Sequence, residues 1–175
     1  MDKTHLDEIV KIPAQLFSIL SNNSNFVSLL TNIPNATLND ELVEIEWEKC
    51  INDYNYVKGV VQESKSFCCI DTEIDIESTA IKDVYINILI GVHNQNMSLK
   101  NTGIKGFMGN RRDNLIRELD YTLRYKNGLG IGKLEPWGRI KSVNVSGGEE
   151  FACKLVTYRL TNFAKSNRIE REINV

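Results

Sequence analysis

Asp83-Val84-Tyr85-Ile86-Asn87-Ile88-Leu89-Ile90-Gly91-Val92-His93 sends Val84, Ile86, Ile88, Ile90 and Val92 to one side of an extended chain and the residues between them to the other. Its density of β-branched residues predicts a central strand. Upstream, Cys68, Ile70, Thr72, Ile74 and Ile76 alternate with Asp71, Glu73, Asp75 and Glu77, which predicts a strand with a buried face and an acidic outer one. Further back, Val43, Ile45 and Trp47 alternate with Glu44, Glu46 and Glu48, and the same period predicts another acid-faced strand, the first in chain order. Before these lies a loop, Asn32 to Asp40, preceded by two apolar sets at helical spacing. The first is Ile9, Ile12, Leu16, Phe17 and Leu20, with Pro13 in or near its first turn, and the second is Phe26, Val27, Leu29 and Leu30 after Asn23-Ser24.

Downstream of His93, residues 94 to 108 are polar, contain Gly103 and Gly106, and are expected to be a mobile loop. Asn110 caps an expected helix from about Arg111 to Tyr125, with Leu115, Ile116, Leu119 and Leu123 as its apolar stripe. Asp113 and Arg117, and Asp120 and Arg124, are spaced for i, i+4 ion pairs on its outer side. Asn127-Gly128 ends the helix, residues 129 to 138 read as turns, and strands near 139 to 145 and 151 to 162 flank Gly147-Gly148 as a hairpin. The expected fold is therefore α+β. A mostly antiparallel sheet packs against N-terminal helices (about 3–31) and one central helix (about 111–125), in a single domain over 1–164 with an exposed arm over 165–175. Leu119 and Leu123 should pack on Ile86, Ile88 and Ile90, the other dense apolar surface.

At 175 residues, with 42% hydrophobic and 25% charged residues, the chain has ordinary globular composition, which disfavours wholesale disorder and fibrous repeats. The apolar run from Val84 to Val92 is far short of the roughly 20 residues a membrane helix needs, so no membrane is expected. The acidic start, Met1 to Glu8, does not resemble a secretory signal, so cytoplasmic synthesis is expected. Cys50, Cys68, Cys69 and Cys153 show no CxxC spacing and read as reduced core thiols, and with only His5 and His93 beside them no zinc site is expected.

Gly128, Gly130 and Gly132 follow a helix instead of joining a strand to one, and Lys133 is not followed by Ser or Thr. A phosphate-binding loop is rejected in favour of a tight turn, and no cofactor is expected. His93 at a strand end and His5 near the terminus are tied to no nucleophile, so no catalytic residue is assigned and a non-enzyme is expected. The seven carboxylates of the two acidic rows could be solvated faces, a divalent-metal site, or a surface that repels something negative. Neighbours at i, i+2 stand about 7 Å apart, too far to share an ion unaided.

Charge is distributed unevenly. Residues 1 to 98 hold 6 Lys+Arg against 15 Asp+Glu, a formal charge of −9, whereas residues 99 to 175 hold 15 against 8, or +7. The halves either neutralise each other within one domain or meet head to tail between copies. A pI near 5.8 argues against tight direct DNA binding.

The order of segments resembles a known family. A buried strand ending in His93, a loop, Gly109-Asn110-Arg111-Arg112-Asp113-Asn114-Leu115, a helix, Leu129-Gly130-Ile131-Gly132-Lys133-Leu134 and a late hairpin ending near Asn162-Phe163 resemble neck proteins of tailed bacteriophages, the head-tail connector and tail-terminator components. The resemblance spans roughly residues 55 to 165, and the paired Arg111-Arg112 departs from it. It implies a non-enzymatic virion protein, assembled in the host cytoplasm as a homo-oligomer, commonly a hexameric ring. Its neighbours would be the head-side connector or adaptor proteins and the tail tube protein, and DNA would pass through without specific binding. On that reading Glu44, Glu46, Glu48, Asp71, Glu73, Asp75 and Glu77 are candidates for a DNA-repelling lumen. Arg111, Arg112 and Lys133 are candidate subunit contacts, as are the 94–108 loop and the arm. The alternative is a small divalent-metal-dependent hydrolase or nuclease using the acidic rows.

Overall fold

The computed structural model describes residues 9–53, 66–77, 80–126, 133–145 and 150–161. Its strands are β1 (Ile51–Asn52), β2 (Ser66–Glu77), β3 (Ala80–His93), β4 (Lys133–Val143) and β5 (Phe151–Thr161), in sheet order β1-β2-β3-β5-β4. β1 runs parallel to β2 and every other pairing is antiparallel. The long β-branched stretch is indeed central, paired on both edges, and its Val84, Ile86, Ile88, Ile90 and Val92 are fully buried.

Four helices cover that face: α1 (Ile12–Ser21), α2 (Ser24–Thr31), α3 (Glu41–Cys50) and α4 (Arg111–Leu123). Pro13 sits in the first turn of α1, where its missing N–H is not needed. Asn23 caps α2 by accepting from the Phe26 N–H at 3.1 Å, and Asn32 ends it in the left-handed conformation. Leu16, Leu20, Phe26, Leu30, Leu115, Leu119 and Leu123 join Ile70, Ile86, Ile88, Tyr158 and Leu160 in one core. Leu119 and Leu123 share this core with Ile86, Ile88 and Ile90, as expected from the sequence.

The segment expected as the first acid-faced strand is a helix. Val43, Trp47 and Cys50, at i, i+4 and i+7, are buried, while Leu42 and Ile45 are exposed at 71% and 44%. Asp40 caps the helix by accepting from the Leu42 N–H at 3.0 Å, Glu41 and Glu44 lie in the first turn, and Lys49 in the last pairs with Glu46 at 2.8 Å. Glu41 and Glu44 at the start and Lys49 at the end thus complement the helix dipole.

A second difference concerns residues 133 to 138, expected as turn. They form the first half of β4, with Leu134 buried opposite Leu160. The turn-forming residues are absorbed as a bulge: the register jumps between Trp137 and Lys141, and Gly138 there has φ 72°. The 94–108 loop is also more firmly anchored than its composition predicts. A 3-10 turn over Asn94–Asn96 opens it, Met97, Leu99, Ile104 and Phe107 pack against the core, and the Arg111 N–H donates to the Met97 carbonyl at 2.9 Å. Gly128, Gly130, Gly132, Gly147-Gly148 and the 165–175 arm lie outside the described residues.

Candidate functional site

Because the four described helices lie on one face, the other face of the sheet is where surface chemistry collects. Near the Ser66 end it is apolar: Phe67, Cys69, Leu89, Phe151 and Cys153 form a smaller cluster of their own. The vicinal cysteines therefore point to opposite faces, Cys68 into the main core and Cys69 into this one. Burial is the main cause that pushes the thiols up, to about 12 for Cys50 and Cys69 and about 11 for Cys153. At neutral pH they are thiols and poor nucleophiles.

Toward the far end the same face turns polar and changes sign across the sheet. On β2, Asp71, Glu73 and Asp75 project outward, with Asp71 Oδ1 accepting from the Thr72 N–H at 2.9 Å. On β3 the residues opposite them are Asn87, Tyr85 and Asp83. Asp83 is 7% exposed and would repel Asp75 beside it, but Arg159 of β5 donates to its Oδ1 from Nε at 2.8 Å and Nη2 at 2.6 Å. That hydrogen bonding in turn raises the Arg159 pKa. The Arg159 guanidinium also lies 5.0 Å over the Trp137 ring, which meets Tyr85 at 5.8 Å. A shallow depression of about 340 Å³ opens between them, lined by Glu73, Tyr85, Asn87, Trp137, Lys141, Leu155 and Thr157. The face thus runs from the acids of β2, through neutral Tyr85 and Asn87, to the bases of β5 and β4.

The expected acidic rows are separated by this arrangement. Asp71, Glu73 and Asp75 form a true row, and Glu77 closes the same strand with its side chain outside the described set. Glu44, Glu46 and Glu48 do not form a row, because at 3.6 residues per turn Glu46 points well away from Glu44 and Glu48. Of the three expected basic contacts, Lys133 lies on the sheet's edge strand, 3.6 Å from Glu135 and 4.5 Å over the Tyr125 ring. Arg112 is half-buried beside Asp113 at 3.2 Å. Arg111 does not fit a subunit contact, since it is 1% exposed and turned inward to Asn32. The spacing of Asp113 to Arg117 is likewise unused: Asp113 turns to Lys154 at 2.6 Å, and Arg117 lies over Phe107, whereas Asp120 and Arg124 do pair at 2.6 Å.

The Trp137–Arg159–Asp83 arrangement is hidden in the sequence because the glycines of residues 129 to 138 suggest a turn. The alternation of Lys133, Glu135 and Trp137 with Leu134 and Pro136 is the strand signal that was there to find. A second groove, about 770 Å³, lies between the α1–α2 turn and the end of α4 and presents Asn25, Tyr121, Tyr125 and Lys126. Among the described residues no three His, Cys, Asp or Glu side chains are grouped to hold a metal ion, and no helix is long and apolar enough to cross a membrane.

One family model, YomW, matches residues 15–160, from the first helix to the last strand. The chain belongs to the YomW family. The family carries the name of a phage-derived protein of Bacillus, which makes this a phage-related chain. No curated protein and no solved structure matches it. The YomW match includes every strand of the sheet, so the charge-graded face lies within the part of the chain that the family defines.

Proposed function

We propose that this YomW-family chain is a structural virion protein of a tailed phage, forming a ring at the head-tail junction as tail terminator or adjacent neck component. The observation that carries the reading is the opposition of the two sides of the sheet, since β1 pairs β2 only at Cys68 and Cys69 and leaves the acidic stretch of β2 as an edge. β2 holds Asp71, Glu73, Asp75 and Glu77 and no base, while β4, at the other margin, holds Lys133, Arg139 and Lys141 against Glu135. Margins of opposite sign on one rigid sheet favour a head-to-tail joint, which closes into a ring when the rotation per subunit divides a full turn. Its neighbours in the virion are then the head-side adaptor proteins and the tail tube protein.

In such a ring the carboxylate row of β2 has a physical role. DNA binds protein chiefly by releasing counterions to Lys and Arg, and an acidic wall offers none of that attraction, repelling phosphate over the roughly 8 Å screening length of physiological salt. Glu44, Glu46 and Glu48, dispersed around a helix, are given no part in it. Two measurements test the proposal. Purified virions should contain the chain, with antibody label at the neck, and the isolated protein or its complex with a neck neighbour should show a ring with a central hole in negative stain. Particles carrying Asp71→Lys, Glu73→Lys and Asp75→Lys together should assemble but eject DNA slowly. Absence of the chain from virions overturns the ring, and normal ejection by the triple variant removes the bore from it.

A further inference from the structure

The paired arginines that open α4 have different fates, and the inward one is left short of partners. Arg111 is among the largest fully buried side chains of the protein, at 1% exposure. Its Nη2 donates to Asn32 Oδ1, a neutral amide, while Nε and Nη1 have no hydrogen-bond partner. No carboxylate among the described residues pairs with it. A guanidinium stays protonated under any ordinary condition, so the fold holds a full positive charge in its interior against a single amide oxygen. Burial lowers the Arg111 pKa, as expected for a cation losing its water. The site is made more positive by its position in the first turn of a 13-residue helix, whose dipole has its positive end there.

Two loops meet at this point. One begins at Asn32, which holds the guanidinium, and the other contains Met97, whose carbonyl holds the Arg111 N–H. They touch at Gly103, where an added Cβ would stand 3.0 Å from Pro34 Cγ. We infer that Arg111 marks an internal binding site for a small inorganic anion, seated between the Asn32 turn and the start of α4, with Nε and Nη1 as its donors. The 1% exposure leaves no route for a side chain from another molecule, whereas a small ion enters when the two loops open locally. This site is independent of the ring proposed above: it acts on the stability of a single chain.

The test uses the full chain and inorganic phosphate as the probe, at 0 to about 20 mM and constant ionic strength, a range in which general salt effects on burial are small. Chloride titrated against gluconate is the second probe. A ligand bound only by the folded state raises Tm with the logarithm of its concentration above Kd, by about 4 °C at tenfold Kd for a domain of this size. Asn32→Asp supplies a carboxylate beside Nη2 from within, so it should melt higher than the wild type without phosphate and respond to neither anion. Arg111→Met should also be unresponsive. Where either variant fails to fold, the Arg111 Nε–H signal in the NMR spectrum of the wild type decides, since it should shift and saturate with phosphate or chloride. A wild type unresponsive to both anions, an equal response in Asn32→Asp, or an unmoved Nε–H signal overturns the inference.

Discussion

Glu41–Cys50 and Ser66–Glu77 carry the same surface message, acids alternating with apolar residues, yet the first is a helix and the second a strand. What separates them lies in the flanks and in the spacing of the apolar set. In α3 the buried residues Val43, Trp47 and Cys50 also fit a helical stripe, and Asp40 stands ready to cap it. In β2 the set Cys68, Ile70, Thr72, Ile74 and Ile76 is strictly alternate, mostly β-branched, and matched residue by residue by β3. The period-2 pattern is necessary for a strand and insufficient for one when a cap precedes it and a 3.6-period subset lies within it.

The sharpest way to break this comparison is to truncate two residues that a strand would treat alike. Trp47 is 5% exposed and packs edge-on against Phe26 at 6.2 Å, so Trp47→Ala should cost about 3–5 kcal/mol in chemical denaturation. Ile45→Ala, two residues away and 44% exposed, should cost less than about 1 kcal/mol. Equal losses would restore the strand.

β2 contrasts with itself as well, apolar outward at Phe67 and Cys69 and acidic outward from Asp71. The apolar half depends on one missing side chain. A Cβ on Gly91, opposite Phe67 in the register, would stand 2.2 Å from the Phe67 ring, which also meets Phe151 edge-on at 5.2 Å. Gly91→Ala should therefore cost about 1–3 kcal/mol by overpacking, and Phe67→Leu in the same chain should recover part of that loss. In the acidic half, Glu73→Ala should change stability by less than about 0.5 kcal/mol. Additive effects of the Gly91 and Phe67 substitutions would show that the ring does not hold that glycine in place.

The cap itself is the next test. Asp40→Ala removes the acceptor for the Leu42 N–H and should cost about 1 kcal/mol, while Asp40→Asn should cost only a fraction of that. Loss of helical circular dichroism in step with stability would tie the effect to α3, and no loss in Asp40→Ala would mean that packing of Trp47 alone selects the helix.

Much of the architecture is legible in the chain: the central strand from its β-branched density, α4 from Asn110 and its leucines, and the hairpin from the strands that bracket Gly147-Gly148. The failures share a cause. Over residues 43 to 48 and 133 to 138 the local pattern fits more than one state, and long-range packing adds to the choice, through Trp47 against Phe26 in one case and Leu134 opposite Leu160 in the other. The site was less legible. The acid row of β2 could be read directly, but Arg159 with Asp83 and Trp137, and Arg111 with Asn32, join residues 76, 22 and 79 positions apart, and no periodicity encodes which strands become neighbours.

The smallest expected effect separates an acid in a row from an acid in a network. Asp113, in the first turn of α4, is raised by burial but more than offset by hydrogen bonds from Lys154, Asn110 and Arg112, which hold its carboxyl down at about 2. A folded-state pKa below the unfolded value of about 3.9 gives stability that is fully present above pH 4 and is lost as pH falls through 2. Because the side chain is 45% exposed, solvent screens the pairing and the whole contribution should stay below about 1 kcal/mol. Asp113→Asn should therefore destabilise slightly at pH 7 and converge on the wild type between pH 4 and 2. If the Asp113→Asn and wild-type curves remain parallel down to pH 2, the network does not bind the carboxylate in its charged form, and Asp113 belongs with the solvated acids of β2.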